Sequence, residues 1–299
     1  MKPKLSQPVL FGALLLATVS STPAPRAAAQ DVLMPDQSAA KAKQIMKDAV
    51  AALGGAAYMN VRDVTCTGHL GQFDHSGELT GYEKFIDYAM PPLKDRTENL
   101  PQRNEIDVFN GDAGWNLDRG GVSAEPAGQV AQFQEDSKKD LDNILRHRVD
   151  EPEMVIRYTG QDIVDLKQVD WVQLIDSDNR TIRIAFDRSS HLPLRKTVES
   201  RDPKTRLTTH EAEYYSLYFL VAGVQTPKQI TRERNNMKVF QVFYDECNYN
   251  TGLQESLFTK QSLDDRWAKM PNKDKYRDKK KKNDKSKDKD DDSDAADKN

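Results

Sequence analysis

What this chain has little of narrows the field first. It contains only two cysteines, Cys66 and Cys247. A disulfide-dense scaffold is therefore excluded, and at most one bridge can form. Its formal net charge is −3, with no basic excess to suggest a polyanion partner, so nucleic-acid binding has no electrostatic footprint. Past the N-terminal segment no apolar run approaches the length of a membrane span. The sequence holds no G-x-S-x-G, H-E-x-x-H, Walker-type or G-x-G-x-x-G stretch, and no internal repeat of fixed period. Histidines are few. His69 and His75 flank a glycine-containing turn near Asp74 and Glu78 without a metal-ligand spacing, which reads as a polar turn. His191 follows Ser189 and Ser190 close to Asp187, which reads as a β-turn and not a catalytic triad. His147, between Arg146 and Arg148, belongs to a cation cluster near a helix C-terminus. No catalytic residue, metal site or cofactor is expected, and the chain is read as a non-enzyme.

The segments that are present have a clear order. Lys2 and Lys4 precede an apolar run over 9–19, and Ala27-Ala28-Ala29 offers a cleavage site before Gln30. Residues 1–29 are thus read as a signal peptide and 30–37 as a linker. Export makes a Cys66–Cys247 bridge permissible, the alternative being two buried thiols. From Ser38, Ala42, Ile45, Met46, Ala49, Val50 and Leu53 recur at helical spacing, with Asp36 or Ser38 as cap and Gly54-Gly55 as stop. The period then changes to two. Strands are expected over 61–68, 78–88, 93–100, 104–109 and 113–118, with Asn110-Gly111 as a hairpin turn. Residues 120–128 read as a loop. A second amphipathic helix starts near Pro126, carries Val130, Phe133, Leu141, Ile144 and Leu145 near one face, and ends before Pro152. Strands resume over 154–158, 163–166, 169–176, 181–187, 192–201, 207–218, 226–234 and 238–248. About a dozen short strands joined by tight turns imply a mostly β, antiparallel α+β domain that must curl or split. The domain is bounded at 38–265. Residues 266–299, Lys-rich and then Asp-rich, are read as a disordered, charged tail, either a solubility tail or a tether to an anionic surface or an envelope protein.

Four stretches carry a family resemblance: AALGG (51–55), VFNGDAGW (108–115), FDRSSHLPLR (186–195) and VAGVQTPKQI (221–230). In this order the chain resembles the outer-membrane lipoprotein-sorting proteins of the LolA-like superfamily, over about residues 40 to 258. The resemblance implies an unclosed antiparallel β-barrel of roughly eleven strands, with two helices covering its open side. It implies a soluble periplasmic carrier that holds lipid or lipoprotein acyl chains against an apolar concave face. It also implies an arginine on an early strand that holds the lid, for which Arg96 and Arg103 are the positional candidates. The charged tail departs from the family pattern.

Acyl burial at about 0.8 kcal/mol per methylene needs no polar chemistry, so a carrier requires only an apolar, partly empty inner wall. Candidates for that wall are Phe85, Trp115, Phe133, Ile144, Trp171, Ile184, Phe186, Phe240 and Val242. The competing reading is a cell-envelope interaction or structural protein in which these same residues form an ordinary filled core.

Overall fold

The computed structural model describes residues 33–101, 104–202 and 205–270. The signal peptide read at 1–29 and the charged residues from 271 onward lie outside the described residues.

Helix α1 (Pro35–Leu53) opens inside the stretch read as a linker. Pro35, at the first helical position, has its φ preset for the helix. Ser38 is consequently not the cap. Its hydroxyl donates to Tyr158 O and accepts from Tyr158 N–H, each at 3.0 Å, and so docks α1 on a strand backbone. Ala42, Met46, Ala49 and Leu53 form the buried stripe that the spacing predicts. Gly54 ends the helix at φ +131°, where a Cβ would sit 2.2 Å from Gly223 O; only glycine fits both the angle and the approach. A short helix α2 (Ala56–Met59) follows.

The strands are β1 (Val64–Phe73), β2 (Leu79–Met90), β3 (Lys94–Leu100), β4 (Ile106–Asn110), β5 (Ala113–Asp118), β6 (Gly121–Ala124), β7 (Val155–Val164), β8 (Lys167–Ile175), β9 (Thr181–Asp187), β10 (Pro193–Arg201), β11 (Thr208–Val221), β12 (Val224–Arg234) and β13 (Met237–Tyr249). They form one antiparallel sheet in the order β6-β5-β4-β3-β2-β1-β13-β12-β11-β10-β9-β8-β7. Thirteen strands stand where about eleven were expected. Strand β6 occupies the stretch read as a loop. Strand β7 is one continuous strand through the 154–158 and 163–166 stretches, with a register shift between Tyr158 and Gly160 that looks like a break in sequence. Edge strand β7 meets Ser38 of α1, which satisfies backbone groups that no neighbouring strand reaches.

The second helix is broken. Helix α3 (Ala127–Lys139) stops at Asp140, whose backbone turns extended and whose carboxylate accepts from Asn143 N–H at 2.9 Å. A new turn, α4 (Leu141–Asn143), then widens into a π-helical turn over Ile144–Arg148. A further helix, α5 (Lys260–Ala268), follows a 3₁₀ turn (Glu255–Phe258) and runs past residue 265, into the stretch read as tail.

Two cores lie on opposite faces. On the face we call inner, α1, α2 and the π turn pack on β7–β12, burying Met46, Ile144, Leu145, Val172, Leu174, Ile182, Ile184 and Phe186. On the outer face Ile106, Val108 and Leu117 pack against Phe258 and Leu263 of the C-terminal turn and helix. Cys66 and Cys247 face each other across β1 and β13 and are disulfide-bonded, 181 positions apart in sequence. Closing so long a loop removes chain entropy worth about 4–5 kcal/mol from the unfolded state. Reduction, or Cys66→Ala with Cys247→Ala, is expected to lower the unfolding free energy by about that amount. Denaturant titration with and without reductant measures it, and an unchanged midpoint would refute the cross-link's role.

Candidate ligand cavity on the inner face

Strands β6 and β7 are the two edges of the sheet and are also consecutive in sequence. The chain therefore travels from one edge to the other through α3, α4 and the π turn. The two ends of this crossover are held differently. Leu141, Ile144 and Leu145 are buried in the inner core, whereas α3 has no buried residue. Apart from Phe133, which stacks on Phe109 at 4.6 Å, α3 is held by polar contacts. Gln134 donates to Gly111 O at 3.2 Å, Lys138 pairs with Asp178 at 3.2 Å, and Lys139 pairs with Glu211 at 2.9 Å. Glu135 pairs with Arg180, which is itself braced by Asp176 at 2.7 Å and Asp178 at 2.8 Å.

Under this roof is a cavity of about 330 Å³, bounded by β1, β2, β3, β12, β13, α3, α4 and the π turn. Its lining is unlike a plain acyl pocket. Asp87 and Asp95 project into it from β2 and β3, and both lean on one hydroxyl: Thr97 Oγ1 lies 3.0 Å from Asp87 and 3.4 Å from Asp95. Both residues are half-buried, in the cavity wall. Burial pushes Asp87 up to about 6. Burial, reinforced by Asp87, raises Asp95 well above the carboxylate range. Asp140 is raised to about 6 by burial and by Asp142.

The cations around the cavity are already engaged. Lys94 pairs with Glu255 at 2.9 Å, and Arg146 with Asp142 at 3.2 Å. Arg232 binds Glu213, at 2.8 Å through Nε. Glu213 is a buried hub: burial alone would raise it, but Lys196 and Arg232 overcome that and hold it down at about 2. Arg146 is unusual. Its side chain is 2% exposed and its guanidinium lies 4.2 Å over the Tyr58 ring, yet its Nε–H has no acceptor.

An apolar strip leads away from the cavity along the same face. Phe85 and Tyr244 flank Gly68 in register and meet edge to face at 6.0 Å. Leu70, Val242 and Ile230 follow one row on, and then Phe240 beside Arg232. Ile230 and Tyr244 belong to both the strip and the cavity wall. Gly68 admits no side chain, because a Cβ would stand 2.5 Å from Phe243 O.

Of the nine sequence-selected lining residues, the structure gathers four near the cavity: Phe133 in the roof, and Phe85, Phe240 and Val242 in the strip. Ile144, Ile184 and Phe186 lie in the packed inner core. Trp115 joins the outer-face cluster under α5. Trp171 packs on Val169, Ala185 and Leu194. Arg96 is on the outer face too, where it donates to Glu98, Leu257 O and Ser262 Oγ and so anchors the C-terminal segment, not the roof. Arg103 lies outside the described residues. The roof is held instead by Arg180 and Lys139, and the polar end of the cavity by Asp87, Asp95 and Arg146; reading the sequence alone singled out none of these for those roles.

Two outcomes follow from the geometry. Because Asp87 titrates higher when folded, the folded state binds its proton first, and the stability this gives is lost as pH rises from about 4 to about 6. Asp87→Asn is thus expected to be at least as stable as wild type at pH 7, with its advantage fading on acidification through that window. Chemical denaturation at several pH values tests this, and a variant less stable at pH 7 would contradict it. Glu135→Ala with Lys139→Ala is expected to speed amide exchange in 127–139 by about tenfold, leaving α1 unchanged, because apart from the Phe133 stack α3 is tethered by polar contacts. Exchange rates equal to wild type there would show that Phe133 alone secures the roof.

No family model and no curated protein matches the sequence. Solved structures do match. A domain described as an outer membrane lipoprotein-sorting protein from Vibrio parahaemolyticus superposes with a TM-score of 0.52 at 13% identity, over 76% of this chain and 99% of that one. A DUF1329 family protein from Desulfovibrio piger gives 0.54 at 15% identity, over 74% and 98%. A LolA superfamily protein from Nitrosomonas europaea aligns at 0.48 and 12% identity, over 74% and 99%. At these identities the shared property is architecture: the chain has the fold of the outer membrane lipoprotein-sorting domains, an open antiparallel sheet with helices laid across one face.

Proposed function

We propose that this protein is a non-enzymatic carrier of the periplasm, exported by its N-terminal segment, that binds an amphiphile on the inner face of its sheet. The observation that carries this reading is the unfilled space beneath α3, a roof without a buried residue, continuous with the strip Leu70, Phe85, Ile230, Phe240 and Val242. A helix with no fully buried residue can lift at the cost of one aromatic stack and its ion pairs, without opening the inner core, which is what loading an acyl chain requires. Each methylene laid on the strip contributes about 0.8 kcal/mol, so a medium-length chain suffices for micromolar binding. The fold shared with a lipoprotein-sorting domain supports the same reading.

A second reading has one observation in its favour. The part of the inner face under α1 and the π turn is packed solid, as it would be in an envelope interaction protein. Native mass spectrometry of the exported, purified protein separates the two. The carrier is expected to retain an acyl-bearing species or to take up a lauroyl lysolipid, and Phe240→Asp with Val242→Asp is expected to abolish uptake while leaving the fold intact. A clean apo mass and no uptake by wild type would eliminate the carrier.

A further inference from the structure

We propose that the Cys66–Cys247 bridge is a thiol-exchange site entered through the cavity beneath α3, so that a small thiolate reaches it in the empty protein and bound cargo shuts it off. The shielding rests on the carrier reading; the route of entry does not.

Both cysteines point to the inner face. Cys66 lies two positions after Val64, and Cys247 two before Tyr249, and Val64 and Tyr249 both line the cavity. The continuous sheet closes the other side, since β2 and β12 flank β1 and β13. Little of the bridge is left open: Cys66 is 7% exposed and Cys247 2%. Cys66 is the half that stands in the cavity wall. Above it, α3 overhangs through Phe133, Asp136 and Ser137. A reagent thus enters under a helix with no fully buried residue, which lifts without unfolding the sheet.

Thiol exchange runs by attack on one sulfur in line with the S–S bond while the other sulfur leaves. The bond spans β1 to β13, because Cys66 and Cys247 are partners in register. A thiolate attacking Cys66 therefore comes from the β2 side, over Asp87, which is the partner of Cys66 there and lines the same cavity. With a dithiol, the first thiolate forms a mixed disulfide with Cys66, and Cys247 departs as a thiolate that takes a proton from water. The second thiolate then attacks the reagent's own sulfur in the mixed disulfide, and Cys66 departs in the same way. Two electrons pass from the dithiol, which closes into a cyclic disulfide, to the bridge. Above about pH 6 the Asp87 carboxylate is ionised beside this path and repels the incoming thiolate. Cargo seated under α3 fills the path itself.

The test follows reduction of the exported, purified protein by dithiothreitol at pH 8, read by mass after alkylation. In wild type the rate is expected to stay nearly flat between 0 and about 1 M urea, because a route through the native cavity exposes little new surface. Asp87→Asn, at least as stable as wild type at pH 7 by the argument above, is expected to speed reduction by about threefold to tenfold. Glu135→Ala with Lys139→Ala is expected to speed it by about tenfold by loosening the roof. Lauroyl lysophosphatidylglycerol, its binding read by native mass spectrometry, is expected to slow wild type by about tenfold or more. A rate that climbs with urea at the full slope of global unfolding means that the bridge opens only when the domain unfolds, and overturns the proposal. So does Asp87→Asn reduced no faster than wild type. A bound lysolipid that leaves the rate unchanged overturns the shielding and leaves the carrier standing. Failure of the lysolipid to bind overturns the carrier and the shielding together, and the urea and Asp87→Asn results still decide the route.

Discussion

A single topological constraint shapes this molecule: the two edge strands of a thirteen-stranded sheet follow one another in the chain. Whatever joins β6 to β7 must cross from one edge to the other. Most features of the inner face are consequences of that crossing. The crossover breaks at Asp140 because its two halves have different tasks. Leu141, Ile144 and Leu145 fill the space beside α1, and the α3 half spans the remaining gap without filling it. The cavity is what remains between a helix that passes over and a sheet that passes under.

The forces that hold the two halves differ in kind. α1 and the π turn are fixed by apolar burial, non-directional and insensitive to salt. α3 is fixed by ion pairs: Lys138–Asp178 is exposed, worth little and weakened by ionic strength, whereas Lys139–Glu211 and the Arg180 guanidinium are largely buried and cost more to break. The Glu213 hub under its C-terminal end is different again. With Lys196 and Arg232 engaged, it ties β10, β11 and β12 together on the inner face, and losing one partner would leave a buried charge uncompensated. The roof thus has an apolar hinge and a span held by polar contacts and one aromatic stack.

Much of this was legible beforehand, and the misses have physical reasons. Period-two alternation located the long strands, β9 to the residue, because one wet face and one dry face leave that signature. Strand β6 is four residues long and too short to show a period. Gly160 marks a bulge, and a bulge in sequence looks like an end. Helix α5 has only Leu263 buried, so its apolar signal was lost among the charges around it. The site was harder. Alternation correctly puts Asp87 on the same face as Phe85, but no pattern within β2 says that a helix some fifty residues downstream will roof that face. Exposed carboxylates and enclosed ones are spelled alike. Arg96 misled for the same reason, since position along the chain does not say which side of a sheet a residue faces.

The pairing of β1 with β13 has a further consequence, in time and not in space. The first strand of this domain takes its neighbour from the last, and the seam between them sits mid-sheet and carries the only disulfide among the described residues. A polypeptide emerging N-terminus first has nothing to close that seam until about residue 249 has arrived. Each half can pair its own consecutive hairpins, but the seam that joins them rests on contacts distant along the chain, which form late. Such a domain becomes one closed unit only once nearly all of its chain is available.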